Sequence, residues 1–311
     1  MIEPPENFSL ADNHAGVTAF LNQFRAEALG AAGVLNKSKR RRIVVAFKRI
    51  RRLAPAAALV LAAEMDRWRR IRGVRLSVID EGEWDPQVRW MLHELGFFDL
   101  VKPMNKAAVA GAGSTPHKMI KLRSGKRIPT EFTDELQAAL EGLAGPIEEK
   151  AYFYEAVTEA LANVSHHAYP DLRPTNCAPW LEHRWWATGS FDTARRRLKI
   201  IFVDQGIGIP ASLPTNTAFE WIRARASRLG VDNSDAAMIE GALEAGRTSR
   251  AEFGGGHGLP QMQEYVDACR DGVLRIISGR GEIVYRKGKP ITRVTHEGNL
   301  GGTLIEWELE R

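Results

Sequence analysis

The sequence has few cysteines and no long apolar run. Its 311 residues include only Cys177 and Cys269, which are far apart and form no CxxC pair. A disulfide framework or a thiolate zinc site is therefore not expected, and a reducing cytoplasm is the natural setting. The longest apolar segment, residues 54–63, is much shorter than the ~20 residues of a membrane span. The first residues are acidic and contain prolines, without the pattern of a secretory signal. We expect a cytoplasmic protein without a membrane anchor.

Positive charge is concentrated in the first part of the chain. Residues 1–125 carry 21 Lys and Arg against 12 Asp and Glu, whereas residues 126–311 carry 22 against 26. Nine of the basic residues lie between 37 and 52, a density that suits nucleic acid or an acidic partner. A solvated rim around a strand has the same composition, and the run has little aromatic interleaving for base stacking. Nucleic-acid binding is the weaker of these two interpretations.

The N-terminal part alternates strand patterns with helical patterns. Short β-branched or apolar runs predict strands at residues 43–47 and 74–79. Apolar residues at helical spacing predict helices at residues 17–29, 55–70 and 85–95. Gly96 is placed to end the last of these helices. A strand–helix–strand–helix order implies an α/β unit with a parallel pair of strands.

This pattern resembles the STAS domain, the fold of anti-sigma-factor antagonists, over about residues 17–102. The similarity rests on the apolar pattern and on the sequence LGFFDLV at residues 95–101. Antagonists of this family that are switched by phosphorylation carry a serine at the start of the helix after the strand. This chain has Ala-Pro-Ala there, at residues 54–56. The resemblance therefore implies a docking or sensing module, which we assign to residues 1–106.

A segment rich in small residues follows this predicted domain. Residues 107–115 read AAVAGAGST, without periodicity. Such composition is typical of a flexible connection. We assign residues 107–128 to a linker and residues 129–311 to a second domain, which opens with a predicted helix at residues 133–143.

The second half contains a segment with polar residues at steps of four. Apolar side chains recur every three or four positions in residues 155–169, which indicates an amphipathic helix whose first residue is expected near Pro146. A carboxylate, an amide oxygen and an imidazole on its other face could hold a cation and a water beside a phosphate. A solvated helix face has the same pattern, so both interpretations stay open. The polar residues that stack along this face are Glu155, Glu159, Asn163 and His167.

A carboxylate and two glycines follow a predicted central strand. Strands are expected at residues 184–191 and 198–203, and the second leads directly into Asp204, Gly206 and Gly208. The carboxylate can accept a hydrogen bond from an exocyclic amine, and the glycines let the backbone pass close to a flat ring. An ordinary Asp-x-Gly turn has the same sequence.

A second glycine-rich segment precedes the last predicted helix. Such a turn presents free N–H groups and the positive end of the helix dipole, which together suit a phosphate. A flexible hinge is the alternative. Two helices, residues 217–229 and 235–245, are expected before it, and three strands after it, at residues 273–278, 282–286 and 303–309. The segment consists of Gly254, Gly255, Gly256, His257 and Gly258.

Taken in order, these segments resemble the motifs of the GHKL superfamily, which includes gyrase B, MutL, histidine kinases and the ninety-kilodalton heat-shock chaperones. The helix segment EAVTEALANVSHHAY looks most like that of the anti-sigma-factor serine kinases, whose partners carry the STAS fold. The matching elements are Glu159-x-x-x-Asn163 for the N box, Asp204-x-Gly206-x-Gly208 for the first glycine box, residues 254–258 for the second, and Thr303 for the threonine on the closing strand.

The resemblance implies ATP and Mg²⁺ as ligands and assigns a role to each matching residue. Asn163 would bind Mg²⁺, and Glu159 would orient or deprotonate the attacking water or hydroxyl. Asp204 would bind the adenine amine with help from Thr303. Gly206 and Gly208 would shape the adenine pocket, and residues 254–258 would hold the phosphates. Residues 209–253 would form a lid whose Thr248 and Ser249 meet the terminal phosphate. His167 would contact the ligand or would only pack at the helix end.

Two departures from the superfamily pattern narrow the expected function. The N box has no lysine, and the region before residue 130 does not resemble the two-helix hairpin that carries the phosphoacceptor histidine of sensor kinases. The sequence therefore predicts a two-domain α/β signalling protein that binds Mg-ATP. It would hydrolyse ATP slowly or phosphorylate a partner protein on Ser or Thr. The alternative is a non-catalytic, ATP-gated switch that docks a partner. Homodimers are common in the superfamily, and nothing in the sequence locates such an interface.

Overall fold

The structure is a computed structural model that describes residues 3–31, 44–72, 76–103, 116–169, 183–213, 234–252 and 258–311. These residues form a mixed α/β protein, as the sequence predicts. The chain divides into two compact units, residues 1–122 and 123–311. The domain limits assigned from the sequence, at 106 and 129, lie on either side of this division. None of the helices in the described ranges has the length and apolar character needed to cross a bilayer.

The first unit is built on a parallel three-stranded sheet with helices between its strands. In chain order its elements are β1 (Asn7–Phe8), α1 (His14–Ala31), β2 (Val44–Ala46), β3 (Arg52–Leu53), α2 (Pro55–Arg72), β4 (Leu76–Ile79), α3 (Pro86–Glu94), β5 (Val101–Pro103) and β6 (His117–Met119). The sheet has the order β2-β4-β5, and both pairs are parallel. The parallel pair predicted from the strand–helix alternation is thus confirmed.

Local signals explain the limits of α3. The side chain of Asp85 accepts hydrogen bonds from the backbone N–H groups of Gln87 and Val88, at 2.9 and 3.3 Å, and so caps the start of the helix. Gly96 follows its end with φ of +80°, a conformation that favours glycine. The sequence predicts this stop correctly.

A buried ion cluster joins α1 to α2. Glu64 of α2 is fully buried, and its carboxylate lies 3.1 Å from a guanidinium nitrogen of Arg25 and 2.7 Å from the indole nitrogen of Trp68. Arg67, one turn away, pairs with the same carboxylate. Burial alone would raise the pKa of Glu64, but Arg25 and Arg67 outweigh it and lower the pKa to about 2. The charge of Glu64 is therefore matched inside the protein.

The described part of the basic run lies at the surface and is engaged in ion pairs. Residues 37–43 of the run lie outside the described residues. The pairs are exposed and join residues of the same unit, as a solvated rim would. They are Lys48 with Glu83, Arg49 with Glu3, and Arg52 with Asp12, at 3.3, 2.7 and 3.2 Å.

The second unit is an antiparallel sheet with helices packed on it. In chain order its elements are β7 (Arg123–Gly125), α4 (Phe132–Ala144), α5 (Lys150–Asn163), β8 (Trp185–Asp192), β9 (Arg197–Asp204), α6 (Ile209–Ser212), α7 (Asp235–Glu252), α8 (Gly258–Ala268), β10 (Gly272–Ser278), β11 (Gly281–Arg286), β12 (Thr292–Thr295) and β13 (Thr303–Glu310). The strands run in the order β12-β11-β10-β13-β9-β8, each antiparallel to its neighbours, and β7 also pairs with β8.

Aromatic side chains fix the helices to one face of this sheet. The indole nitrogen of Trp307 in β13 donates to the backbone oxygen of Met262 in α8, at 3.0 Å. Trp307 also meets Phe202 of β9 edge to face, with ring centroids 6.1 Å apart. Phe132 of α4 packs on Trp185 of β8 at 4.6 Å. The core of the unit therefore lies between the sheet and its helices.

The central helix departs from its predicted limits at both ends. Pro146 lies before the helix, which begins at Lys150 after a turn with Gly145 at φ +85°. At the other end α5 stops at Asn163, and the chain makes one π-helical turn, Val164–Ala168. The predicted segment 155–169 is therefore helical but is not one continuous α-helix.

Other differences concern short or weakly patterned elements. Helix α7 continues to Glu252, beyond the predicted end at residue 245. Strand β12 was not predicted, because its sequence Thr-Arg-Val-Thr is polar and largely exposed. Strand β7 lies inside the segment assigned to the linker and carries no apolar residue. The predicted helix at 217–229 and linker residues 107–115 lie outside the described residues.

Candidate functional site

Three buried polar side chains lie in one row across the sheet of the second unit. Asp204, the last residue of β9, is paired with Thr303, the first residue of β13. Thr303 is in turn paired with Ser278, the last residue of β10. Because directly opposed residues share a face, the three side chains point the same way. Trp307 lies four residues after Thr303 and contacts α8, so this is the face that the helices cover.

The Asp204 carboxylate is held by uncharged donors. The backbone N–H of Gly206 donates to its Oδ1 at 2.8 Å, and Thr303 donates from its backbone N–H and its hydroxyl. Burial raises the pKa of Asp204 to about 6, although these hydrogen bonds act in the opposite direction. None of the groups that shift this pKa is a cation, within the part of the chain that the structure describes. The carboxylate is ionised at neutral pH and could gain from a further donor.

Ser278 connects the loop after β9 to Thr303. Its Oγ accepts a hydrogen bond from the N–H of Ile209 at 2.8 Å and lies 3.0 Å from the hydroxyl oxygen of Thr303. The Ser278 hydroxyl also donates to the backbone oxygen of Gly302 at 3.3 Å, and a hydrogen bond from Thr303 lowers the pKa of Asp204. Ser278 is a site residue that the sequence analysis missed. Only the strand register reveals it, because a serine at the end of a strand is unremarkable in a sequence.

Close backbone contacts explain the two glycines after Asp204. A Cβ on Gly206 would lie 2.1 Å from the backbone oxygen of Ala168, so no side chain fits there. Gly208 has φ of +84°, and a Cβ on it would lie 2.9 Å from Oγ of Ser278. Glycine is therefore needed at position 206 because the backbone of the π-helical turn lies against it. The role predicted for Gly206 beside a flat ring stays a prediction.

Asn163 and Glu159 lie one turn apart near the end of α5, and both are partly exposed. The side-chain nitrogen of Asn163 donates to the backbone oxygen of Glu159 at 2.9 Å. This bond restrains the amide through its nitrogen, and the oxygen Oδ1 takes no part in it. The structure therefore supplies one oriented amide oxygen and one carboxylate on neighbouring turns.

His167 follows Asn163 by four residues and lies beyond the end of α5, in the π-helical turn, whose hydrogen bonds span five residues instead of four. The imidazole is exposed to solvent in part, and desolvation and the neighbouring His166 lower its pKa.

Only part of the predicted phosphate segment is described. Gly258 is the first residue of α8, whereas Gly254, Gly255, Gly256 and His257 lie outside the described residues. Thr248 and Ser249 belong to α7, and their side chains are likewise not among those described. Phe153 in the first turn of α5 contacts Tyr265 in the second half of α8, at 5.8 Å between rings. This contact places the second half of α8 beside the first turn of α5.

Asn163 and Glu159 are the oxygen-bearing side chains at the end of α5 that could contact a bound Mg²⁺. Across the described ranges, no cluster of three or more His, Cys, Asp or Glu side chains is placed to hold a metal. Magnesium in nucleotide sites takes few protein oxygens and completes its shell with phosphate and water. The amide oxygen of Asn163 meets that need.

The chain was compared with models of known protein families and with curated protein sequences, and neither comparison finds a match. The residues of the site and their contacts are therefore the basis for assigning a function.

Proposed function

We propose that the second unit binds Mg-ATP in the manner of GHKL ATPases, and that the protein hydrolyses ATP slowly or phosphorylates a partner protein on Ser or Thr. The observation that carries the proposal is the buried Asp204 carboxylate beside Thr303, held by uncharged donors and with its pKa raised to about 6. A neutral ligand that donates one hydrogen bond, as the adenine amine does, suits such a carboxylate. Perturbed carboxylates of this kind concentrate at functional sites.

The arrangement around Asp204 supports the same proposal. The loop after Asp204 contacts the π-helical turn that follows Asn163, since the N–H of Ile207 donates to the backbone oxygen of Ala168 at 2.9 Å. The base-binding loop and the end of α5 are therefore adjacent. Helix α8 packs against α5 through Tyr265 and Phe153, and a helix N-terminus such as that of α8 suits a phosphate.

The side chains on α5 supply the chemistry. Asn163 would hold Mg²⁺, which would reduce the negative charge of the ATP phosphates. Asn163 offers Oδ1 to the ion, while its nitrogen stays bonded to Glu159 and keeps the amide in place. The carboxylate of Glu159, one turn earlier, orients the attacking water or hydroxyl and accepts its proton.

The first unit serves in this proposal as a STAS-like docking module. Its parallel sheet with intervening helices supports that assignment. The helix after β3 begins with Pro55, and the preceding residue is Ala54, so the start of the helix offers no hydroxyl for phosphorylation. The partner is a protein recognised by this unit or by the ATP-bound second unit.

Replacing Glu159 separates catalysis from binding. Glu159→Ala is expected to lower ATP turnover, or phosphoryl transfer to an added partner, by about 10²- to 10⁴-fold, because a general base is lost. Its affinity for Mg-ATP should stay within about threefold of wild type, because Asn163 and Asp204 remain. Turnover is measured by phosphate release and affinity by calorimetry.

Glu155→Ala is the matched control. Glu155 lies one turn before Glu159 and is exposed, so its replacement should change neither quantity. Loss of Mg-ATP binding in Glu159→Ala would show that Glu159 is structural. An equal loss of turnover in Glu155→Ala would assign the effect to the charge of the helix face and not to a base.

A further inference from the structure

The π-helical turn after Asn163 is bonded to the loop after Asp204 at two points. The backbone oxygen of Ala168, its last residue, accepts the N–H of Ile207 at 2.9 Å. The hydroxyl of Tyr169, the next residue, accepts the N–H of Gln205 at 3.0 Å. The same hydroxyl donates to the backbone oxygen of Arg184 at 2.8 Å. One side chain therefore connects the end of the central helix, the loop after β9 and the residue before β8.

The contact is tight on both sides. Tyr169 is buried, and its ring stacks on His183 with centroids 4.9 Å apart and planes at 18°. Gly206 leaves no space for a side chain, because a Cβ there would lie 2.1 Å from the oxygen of Ala168. Interfaces packed this closely do not deform gradually, so a displacement of one segment displaces the other.

We propose that Tyr169 is a positioning residue that couples the two halves of the nucleotide site. On one side, only the five residues of the π-helical turn separate it from Asn163, which faces the phosphates. On the other side, its hydroxyl holds Gln205, the residue after Asp204, which binds the base. If the distance between the two halves is fixed before binding, one ligand can contact both without the entropy cost of ordering them. The identity of the ligand rests on the proposed function. The mechanical part of the proposal, that Tyr169 links the motion of the π-helical turn to that of the loop after β9, does not.

The mechanical part is tested without nucleotide, by amide hydrogen exchange in the full chain. Tyr169→Phe keeps the ring but removes the hydroxyl. Because both hydrogen bonds of the hydroxyl are lost, we expect exchange to accelerate at least about tenfold both in residues 163–168 and in residues 205–207. Acceleration confined to residues 205–207, or unchanged exchange in both segments, would overturn the proposal.

Two further variants complete this test. Tyr265→Phe alters another buried tyrosine of the unit, which packs on Phe153 at the far end of α5, and should leave both segments unchanged. Gly206→Ala disturbs the same contact from the side of the loop and should accelerate exchange in both segments. It also decides the question if Tyr169→Phe fails to fold.

The functional part is tested with adenosine and Mg-ATP as separate ligands. Adenosine probes the base half alone, and the gain in affinity from adenosine to Mg-ATP reports the phosphate half. In Tyr169→Phe this gain should fall about tenfold, whereas Tyr265→Phe should keep it. Equal weakening of both ligands would contradict coupling. If wild type binds neither ligand, the proposed function fails, and hydrogen exchange still decides whether Tyr169 links the two segments.

Discussion

Among the buried carboxylates of this protein, Glu64 in the first unit and Asp204 in the second have opposite environments. Glu64 in the first unit is surrounded by Arg25, Arg67 and the indole of Trp68, and its pKa is lowered to about 2. In the second unit, the described groups of Gly206 and Thr303 that hydrogen-bond to Asp204 are uncharged, and burial raises the pKa of Asp204 to about 6.

The groups around a buried carboxylate indicate whether it has a structural or a ligand-binding role. A carboxylate whose charge is matched by arginines inside the protein has no need of a ligand, and removing it leaves the arginines buried without their partner. A carboxylate that is buried without a cation destabilises its own unit and is kept for another reason. By this criterion Glu64 holds α1 and α2 together, whereas Asp204, whose pKa no cation of the described residues shifts, is a candidate ligand-binding residue.

The largest expected effect comes from Glu64. Glu64→Gln should destabilise the first unit by about 3 to 5 kcal/mol, because the buried Arg67 and the partly buried Arg25 lose their compensating charge. Hydrogen exchange of α1 and α2 in the full chain measures this loss. Glu83→Gln, which breaks an exposed ion pair with Lys48, should change stability by less than about 0.5 kcal/mol. If the two variants behaved alike, Glu64 would not be the structural charge described.

The opposite sign is expected at Asp204. Its pKa is raised from 3.8 to about 6, so the ionised carboxylate destabilises the second unit by up to roughly 3 kcal/mol at neutral pH. Asp204→Asn should therefore stabilise this unit, as measured by hydrogen exchange of β9 and β13. Asp271→Asn, at the exposed end of β10 away from Ser278, serves as the control and should have little effect. A loss of stability as large as that of Glu64→Gln would remove the contrast between the two carboxylates.

A smaller effect is expected from pH, and it differs in direction between the two units. Asp204 takes up its proton in the folded state first, so its unit gains stability as the pH falls from about 6 to about 4. Glu64 keeps its charge over this range, and its contribution is lost only as the pH falls from about 4.5 toward about 2.

Comparing variants isolates these contributions. The stabilisation of Asp204→Asn relative to wild type should shrink between about pH 7 and about pH 4, while the destabilisation of Glu64→Gln stays nearly constant. Denaturant unfolding at several pH values, followed by exchange in each unit, gives both differences. A parallel decline of the two differences would contradict the pKa contrast.

Elements with strong periodicity were predictable from the sequence. The parallel pair of the first unit, the stop at Gly96, and the strands that precede Asp204 follow from apolar spacing and glycine chemistry. The position of Asp204 at the end of a central strand is confirmed, because KIIFV reads as a buried strand in any context.

What the sequence did not reveal depends on contacts between distant residues. The residues of the π-helical turn would also be compatible with an α-helix, so the sequence does not distinguish the two. The hydrogen bond from the N–H of Ile207 to the backbone oxygen of Ala168 is seen only in the structure. Ser278 joins the site only through strand register. Glu64 lies in a helix rich in alanine, where a glutamate reads as a surface residue until its burial is known.

The central claim is that Asp204 binds the base of a magnesium nucleotide. Calorimetric titration of Mg-ATP into wild type, Asp204→Asn and Asp271→Asn tests it most directly, and turnover by wild type then separates an enzyme from a non-catalytic switch. We predict binding to wild type and to Asp271→Asn, and affinity about 100-fold weaker in Asp204→Asn, whose amide presents a donor to the adenine amine. Equal binding by Asp204→Asn, or no binding by wild type, would contradict the claim.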